Sequence, residues 1–147
     1  MSESNITRLL RGDEGEVLTA YKDHLGYLTI GVGRLIDKAK GGGITAEESA
    51  YLLANDIMRK SQELDRRLPW WTGLSDARRG VILSMAFQMG VDGLLKFVNT
   101  LAAVKAGQYD RAADGMLQSM WAKQTPERAK RMSEQMRLDK WMFKAGT

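Results

Sequence analysis

The spacing of apolar residues along this chain changes period, and each change predicts a change of element. Ile6, Leu9 and Leu10 fall at helical spacing behind the possible N-caps Ser4 and Asn5, which predicts a short first helix that Gly12 ends. The period then shortens to two. Val17 to Asp23 and Tyr27 to Val32 read as strands joined by Asp23-His24-Leu25-Gly26, where Asp and Gly stand at turn positions. Leu28, Ile30 and Val32 alternate onto one face and leave Tyr27, Thr29 and Gly31 on the other. Pairing about the turn sets Thr29 opposite or nearly opposite Tyr21, with Asp23 a diagonal neighbour on the same face.

Beyond the Gly41-Gly42-Gly43 linker the pattern is helical throughout. Thr45 and Glu48 form a capping box at the head of a long helix. Leu53, Ile57, Leu64 and Leu68 mark its apolar stripe and Pro69 its end. Ser75 caps a segment carrying Val81, Ile82, Met85 and Phe87 that Gly90 stops, and Gly93 to Gly107 supplies another with Leu94, Phe97, Val98 and Leu101. Two more helices are expected, one from Asp110 to Trp121 and one beginning at Thr125-Pro126, with Thr as N-cap and Pro at the first helical position. The predicted fold is α+β and mainly α. A small N-terminal lobe with a β-hairpin (13–43) leads into a connecting helix (44–69) and then a helical lobe (70–147), with a cleft expected between the lobes.

Composition narrows the chemistry. The 147 residues are 44% hydrophobic, enough to bury a core in one domain or two small lobes, and no low-complexity or Pro-rich segment interrupts them. No run approaches a membrane span, and Met-Ser-Glu-Ser-Asn-Ile-Thr-Arg lacks the pattern of a secretory signal, so synthesis and retention in the cytoplasm until release are expected. Without cysteine there is no thiol nucleophile or disulfide, and a single His leaves no His/Cys zinc cluster. The net charge of +4 admits polyanions, yet the basic residues are interleaved with acids, as at Arg59, Lys60, Glu63, Asp65, Arg66 and Arg67, and no nucleic-acid motif is present. The nine Met and four Trp read as core filling rather than a promiscuous surface. In the final segment, Met136, Trp141, Met142 and Phe143 alternate with Arg137, Lys140 and Lys144, which fits packing on the helical lobe or contact with an anionic membrane.

The candidate chemistry lies in one run, R-G-D-E-G-E-V-L-T-A-Y-K-D-H-L-G-Y-L-T-I-G-V-G-R. Glu14 stands just past a helix C-terminus, where the partial negative charge raises a carboxyl's pKa and so favours a proton donor. Eight residues on is Asp23, and five further on is Thr29, which together could hold one water. Taken singly, each has a plainer reading: a turn residue in Asp23, a strand filler in Thr29, a solvated charge in Glu14.

The combination resembles the active-site stretch of the T-even phage-type lysozymes, the endolysins of glycoside hydrolase family 24, whose pattern is E, eight residues, D or C, five residues, T. The blocks D-E-G, Y-K-D, G-Y-x-T-I-G-x-G, I-T-A-E-E-S-A-Y-L-L-A-N-D-I, F-Q-M-G and W-A-K-Q-T-P-E-R-A-K-R extend the resemblance over most of the chain. It implies a single lysozyme-like domain with helix 1–12 packed on the helical lobe. It further implies hydrolysis of the β-1,4 bond between N-acetylmuramic acid and N-acetylglucosamine of peptidoglycan, inverting and with no cofactor. Glu14 would be the general acid, and Asp23 with Thr29 would position the water. Arg128 would approach Glu14 from the helical lobe, where its charge would oppose the rise in the acid's pKa; its plainer reading is a surface arginine.

Leu35, Phe87 and Thr100 match substrate-contacting positions, although Phe87 suits a core equally well. The chain departs from the family in three places. Gly115 replaces a substrate-contacting asparagine, Asp37 to Gly43 is shortened, and Arg34 replaces a histidine that pairs with the aspartate matching Asp56. An ion pair of Arg34 with Asp56 is therefore expected. The implied setting is a monomer that uses a holin-type release factor without forming a stable complex, reaches peptidoglycan in the periplasm and binds no nucleic acid. A lytic transglycosylase, a non-catalytic wall-binding module and a nucleic-acid-binding module are the alternatives. Anhydromuramoyl products, wall binding without new reducing ends and salt-sensitive nucleic-acid binding would identify them in turn.

Overall fold

The computed structural model describes Asn5, Arg8, Leu9 and residues 15–146. Asn5, Arg8 and Leu9 are helical; the remainder of the expected first helix, and its packing, lie outside the described residues. The chain forms two compact units, Met1–Leu53 and Ala54–Thr147. It is mainly helical, with one small antiparallel sheet, so the α+β class holds.

The sheet of the first unit has the order β1 (Val17–Lys22), β2 (Leu28–Gly31), β3 (Arg34–Leu35). Thr29 pairs with Tyr21, as the turn geometry requires, and a register irregularity between Val17 and Tyr21 absorbs the mismatch further along β1. The third strand extends the expected hairpin: Gly31 (φ 68) and Gly33 (φ 69) reverse the chain so that Leu35 pairs with Thr29 from the other side. Thr29 therefore sits in the central strand and is 2% exposed. Leu28 and Val32, on the apolar-looking face, are exposed. A one-turn 3₁₀ helix, Lys38–Lys40, follows; the Asp37 carboxylate accepts from the Ala39 N–H, and Gly41 ends it in the left-handed region.

Helix α1 (Ala46–Arg67) begins at the capping box. Thr45 Oγ1 accepts from the Glu48 N–H at 3.1 Å, and Glu48 Oε1 accepts from the Thr45 N–H at 2.9 Å. Its expected stripe is only half buried: Leu64 and Leu68 are in the core, whereas Leu53 and Ile57 are exposed.

In the second unit, a 3₁₀ turn (Pro69–Gly73) leads to α2 (Asp76–Leu95), α3 (Val98–Lys105), α4 (Tyr109–Leu117), α5 (Met120–Gln124) and α6 (Pro126–Leu138). Gly90 leaves helical geometry with φ 78 and ψ 160, so α2 is two helices meeting at a kink and the first ends at Gly90, as expected. The single helix expected from Asp110 to Trp121 is two, because the Ser119 hydroxyl accepts from the Ala122 N–H and starts α5. Pro126 opens α6 as expected, but Thr125 gives it no side-chain cap; its hydroxyl donates back to the Trp121 carbonyl at 3.0 Å. Leu64, Trp71, Ile82, Met85, Leu94, Met116 and Met136 pack in one core. The tail lies on α2 at Gly80, where a Cβ would stand 2.6 Å from the Trp141 ring, so only glycine permits that approach. Trp141 stacks on Phe143, both exposed, while Met132 and Met136 are buried.

Candidate active site

The turn between β1 and β2 is organised by Asp23. Its Oδ1 accepts from the N–H groups of Leu25 and Tyr27, each at 2.9 Å, which is the local chemistry that selects Asp at the head of such a turn. Its own N–H donates to the Tyr27 carbonyl at 2.8 Å. The Tyr27 N–H holds the Asp23 carboxylate below its ordinary pKa; the Leu25 N–H and the charges of His24 and Lys40 act in the same direction, and partial desolvation opposes them. Oδ2 has no partner among the described residues and can accept from a water.

Thr29 bonds to the same residue, Tyr27, through the Tyr27 carbonyl. Its hydroxyl donates to the Tyr27 carbonyl at 3.0 Å, so Tyr27 joins the two candidate water ligands through one backbone residue. With its proton committed there, the Thr29 oxygen faces any further partner as an acceptor. Lys40 completes the surroundings, its Nζ 4.6 Å from the centre of the Tyr27 ring. Neither the Tyr27 backbone nor Lys40 was marked by motif spacing. The Tyr27 contacts follow from the turn type, but the position of Lys40 depends on the 3₁₀ helix that brings it back.

Glu14, the expected acid, lies outside the described residues. Leu35 lies on β3, half-buried and paired with Thr29. Arg34 corrects the expected pairing. Its guanidinium meets Glu48 at 2.9 Å and the Gly43 carbonyl at 3.3 Å. Asp56, about two turns further along α1, makes no ion pair among the described residues. The capping box has already fixed the Glu48 carboxylate at the helix head, so Arg34 finds a preplaced partner there. The Arg34 guanidinium, followed by the Thr45 N–H, pulls the Glu48 pKa from 4.5 to about 2, and the same contact raises that of Arg34.

The second unit holds the other candidates. Phe87 lies on α2, partly exposed rather than in the core. Arg128, on α6, donates through Nη2 to the Ser84 carbonyl (3.1 Å) and hydroxyl (2.9 Å). It lines a cavity of about 630 Å³ with Arg131 and Glu127, and burial, then the charge of Arg131, lowers its pKa. Thr100, on α3, is buried beside Gly115 of α4, where both line a separate cavity of about 500 Å³.

A single family description covers both units: the phage lysozyme model matches residues 11–137. The chain belongs to the phage lysozyme family. It is 34% identical to probable T4-type lysozyme 1 of Dictyostelium discoideum, over 88% of this chain and 91% of that protein. It is also 34% identical to the endolysin of Salmonella phage P22, over 84% of each chain. It is 32% identical to the pre-baseplate central spike protein Gp5 of Enterobacteria phage T4 over 88% of this chain, which spans only 27% of that longer protein. Every candidate residue falls within the phage lysozyme match.

Proposed function

We propose that this phage lysozyme family member is a peptidoglycan-lytic glycoside hydrolase of muramidase specificity, cleaving the β-1,4 bond between N-acetylmuramic acid and N-acetylglucosamine with inversion. Family membership supports the lytic activity. The observation that supports the finer reading is that Tyr27 bonds to both candidates, its N–H to the ionised Asp23 carboxylate and its carbonyl to the Thr29 hydroxyl, which anchors an acceptor-facing Thr29 and Asp23 to one residue. A water donating one hydrogen to Asp23 Oδ2 and the other to Thr29 Oγ1 would direct its lone pairs away from both, toward an anomeric carbon. Glu14 gives its proton to the glycosidic oxygen as the C–O bond breaks. Water adds from the opposite face and passes its proton to Asp23. Inversion of this kind requires the two carboxyls about 6.5–9.5 Å apart. Two carboxyl groups and one water balance the reaction without a metal or cofactor. In its host the chain acts as a monomer on the wall after a holin-type partner opens the inner membrane, with no stable complex between them.

The deciding experiment measures reducing ends released from purified peptidoglycan by the wild type and by Glu14→Gln, with the anomer of the first product read by NMR. The variant should lose on the order of a hundredfold or more of the activity while remaining folded. Full activity in Glu14→Gln would remove the assignment, and anhydromuramoyl products would replace hydrolysis with a transglycosylase reaction.

A further inference from the structure

The stretch Asp37 to Gly43, where this chain is shorter than the longer family members, is fastened to the strand beside Thr29. Asp37 caps its 3₁₀ turn by accepting from the Ala39 N–H at 3.0 Å, and the Gly42 N–H returns to the Asp37 carbonyl at 3.1 Å. Both ends are tied to the sheet: the Ile36 N–H donates to the Leu28 carbonyl at 2.8 Å, and the Gly43 N–H to the Leu35 carbonyl at 2.9 Å. A Cβ at Gly42 would stand 2.6 Å from the Leu35 carbonyl oxygen, so only glycine lets the turn close against β3. Leu35 in turn pairs with Thr29. The turn is therefore braced against the residues that hold Asp23 and Thr29, and it carries Lys40 back over them. The Lys40 ammonium lies 4.6 Å from the centre of the Tyr27 ring. Lys40 is exposed and makes no ion pair among the described residues, so no carboxylate draws its charge away from the ring.

Tyr27 is the residue through which that charge acts. Its N–H holds Asp23 Oδ1 at 2.9 Å and its carbonyl holds the Thr29 hydroxyl at 3.0 Å, so a shift of Tyr27 displaces both. We infer that Lys40 is a positioning residue for the water-holding pair, acting on Asp23 and Thr29 through the Tyr27 ring on which it is seated. Its charge has a second effect. The Tyr27 N–H does most to keep the Asp23 carboxylate ionised, and the charges of His24, in the same turn, and of Lys40 add to it. The role of Lys40 rests on the muramidase reading for what Asp23 and Thr29 do, but its contact with the pair can be measured without turnover.

The test uses the full chain and two readouts: titration of the Asp23 carboxyl carbon by NMR, and reducing ends released from soluble peptidoglycan glycan across the acid range. Lys40→Met keeps the stem and removes the charge. It should move the Asp23 titration to higher pH, carry the acid limb of the rate profile with it, and lower kcat about two- to fivefold at unchanged KM, the size expected of an exposed cation–π contact. Lys40→Arg and Tyr27→Phe should both behave as wild type, since a guanidinium can occupy the same seat and a phenyl ring offers the same face. Tyr27→Leu should match Lys40→Met, and the two together should cost little more than either alone. His24 is present in every variant, so its charge cancels from the comparison. An Asp23 titration unmoved by Lys40→Met, or a Tyr27→Phe variant as impaired as Lys40→Met, would overturn the inference. A raised KM with kcat intact would also overturn it, making Lys40 a substrate contact. A moved titration in a protein whose wild type releases no reducing ends would sustain the contact while removing the muramidase assignment. Hydrolysis by the wild type with an unmoved titration would do the reverse.

Discussion

Each of the two units coheres internally by its own physics. In the first, Thr29 is the one buried residue among those described, while Leu18, Val32, Ile44, Tyr51 and Leu52 are exposed. Order there comes from short polar links: Asp23 to two turn N–H groups, Asp37 to Ala39, Thr45 with Glu48, and Arg34 onto Glu48. In the second, large side chains such as Trp71, Ile82, Met116 and Met136 are almost wholly removed from water. The unit holding the candidate water ligands is thus specified by local hydrogen bonds, which fix atoms accurately but stabilise weakly. The helical unit has the apolar burial that stabilises strongly.

The largest expected effect sharpens that contrast through a matched pair of truncations. Met116→Ala empties a fully buried position in α4 and should destabilise the full chain by about 2–5 kcal/mol, the transfer and cavity costs together. Leu18→Ala removes a side chain that is 81% exposed and should change stability by no more than about 0.5 kcal/mol. Both are read from denaturant midpoints at constant slope. A Leu18 effect as large as that of Met116 would break the comparison.

A smaller effect on stability, but a large one on rate, is expected at Asp23. Asn can still accept through its amide oxygen from Leu25 and Tyr27, so Asp23→Asn should keep the melting temperature nearly unchanged. It removes the charge that faces water, and activity on peptidoglycan should fall at least tenfold. Because Asp23 is held below its ordinary pKa of 3.8, the charged form persists through mild acid; its contribution to rate should disappear only as pH falls through that lowered value. Loss of stability with full activity per folded molecule would make Asp23 a turn residue and nothing more.

What could be read from the sequence followed the range of the interactions involved. The Asp23 turn, the Thr29–Tyr21 pairing and the Thr45–Glu48 box are set within a few residues, and their residue types state the geometry directly. β3 has two residues, too few to carry a period. The break at Ser119 and the missing cap at Thr125 are competitions between equally local hydrogen bonds, decided by which backbone partner lies nearer in the folded chain. Spacing does not identify the partner of Arg34, because it says nothing of where a strand end meets a helix, whereas Glu48 is fixed there by its own cap. Leu53 and Ile57 keep helical period with the buried Leu64, but period gives a face and not its burial.

The smallest effect tests whether the polar links of the first unit matter at all. Glu48 serves both the helix cap and Arg34, and its pKa falls from 4.5 to about 2, chiefly through the Arg34 guanidinium. A depressed carboxylate pKa gives stability that is fully present above the unfolded value, near 4.5, and is lost as pH falls through the folded value of about 2. Glu48→Gln should therefore melt slightly below the wild type at pH 6, by less than Met116→Ala, and the gap should close between about pH 4.5 and pH 2. Arg34 stays charged throughout this range, so the closing reflects the carboxylate alone. Both side chains are solvent-accessible, so added salt should also narrow the gap at pH 6. A Glu48→Gln deficit that is the same at pH 6 and pH 2, and indifferent to salt, would show that the charge of Glu48 adds nothing and that neutral capping alone holds the head of α1.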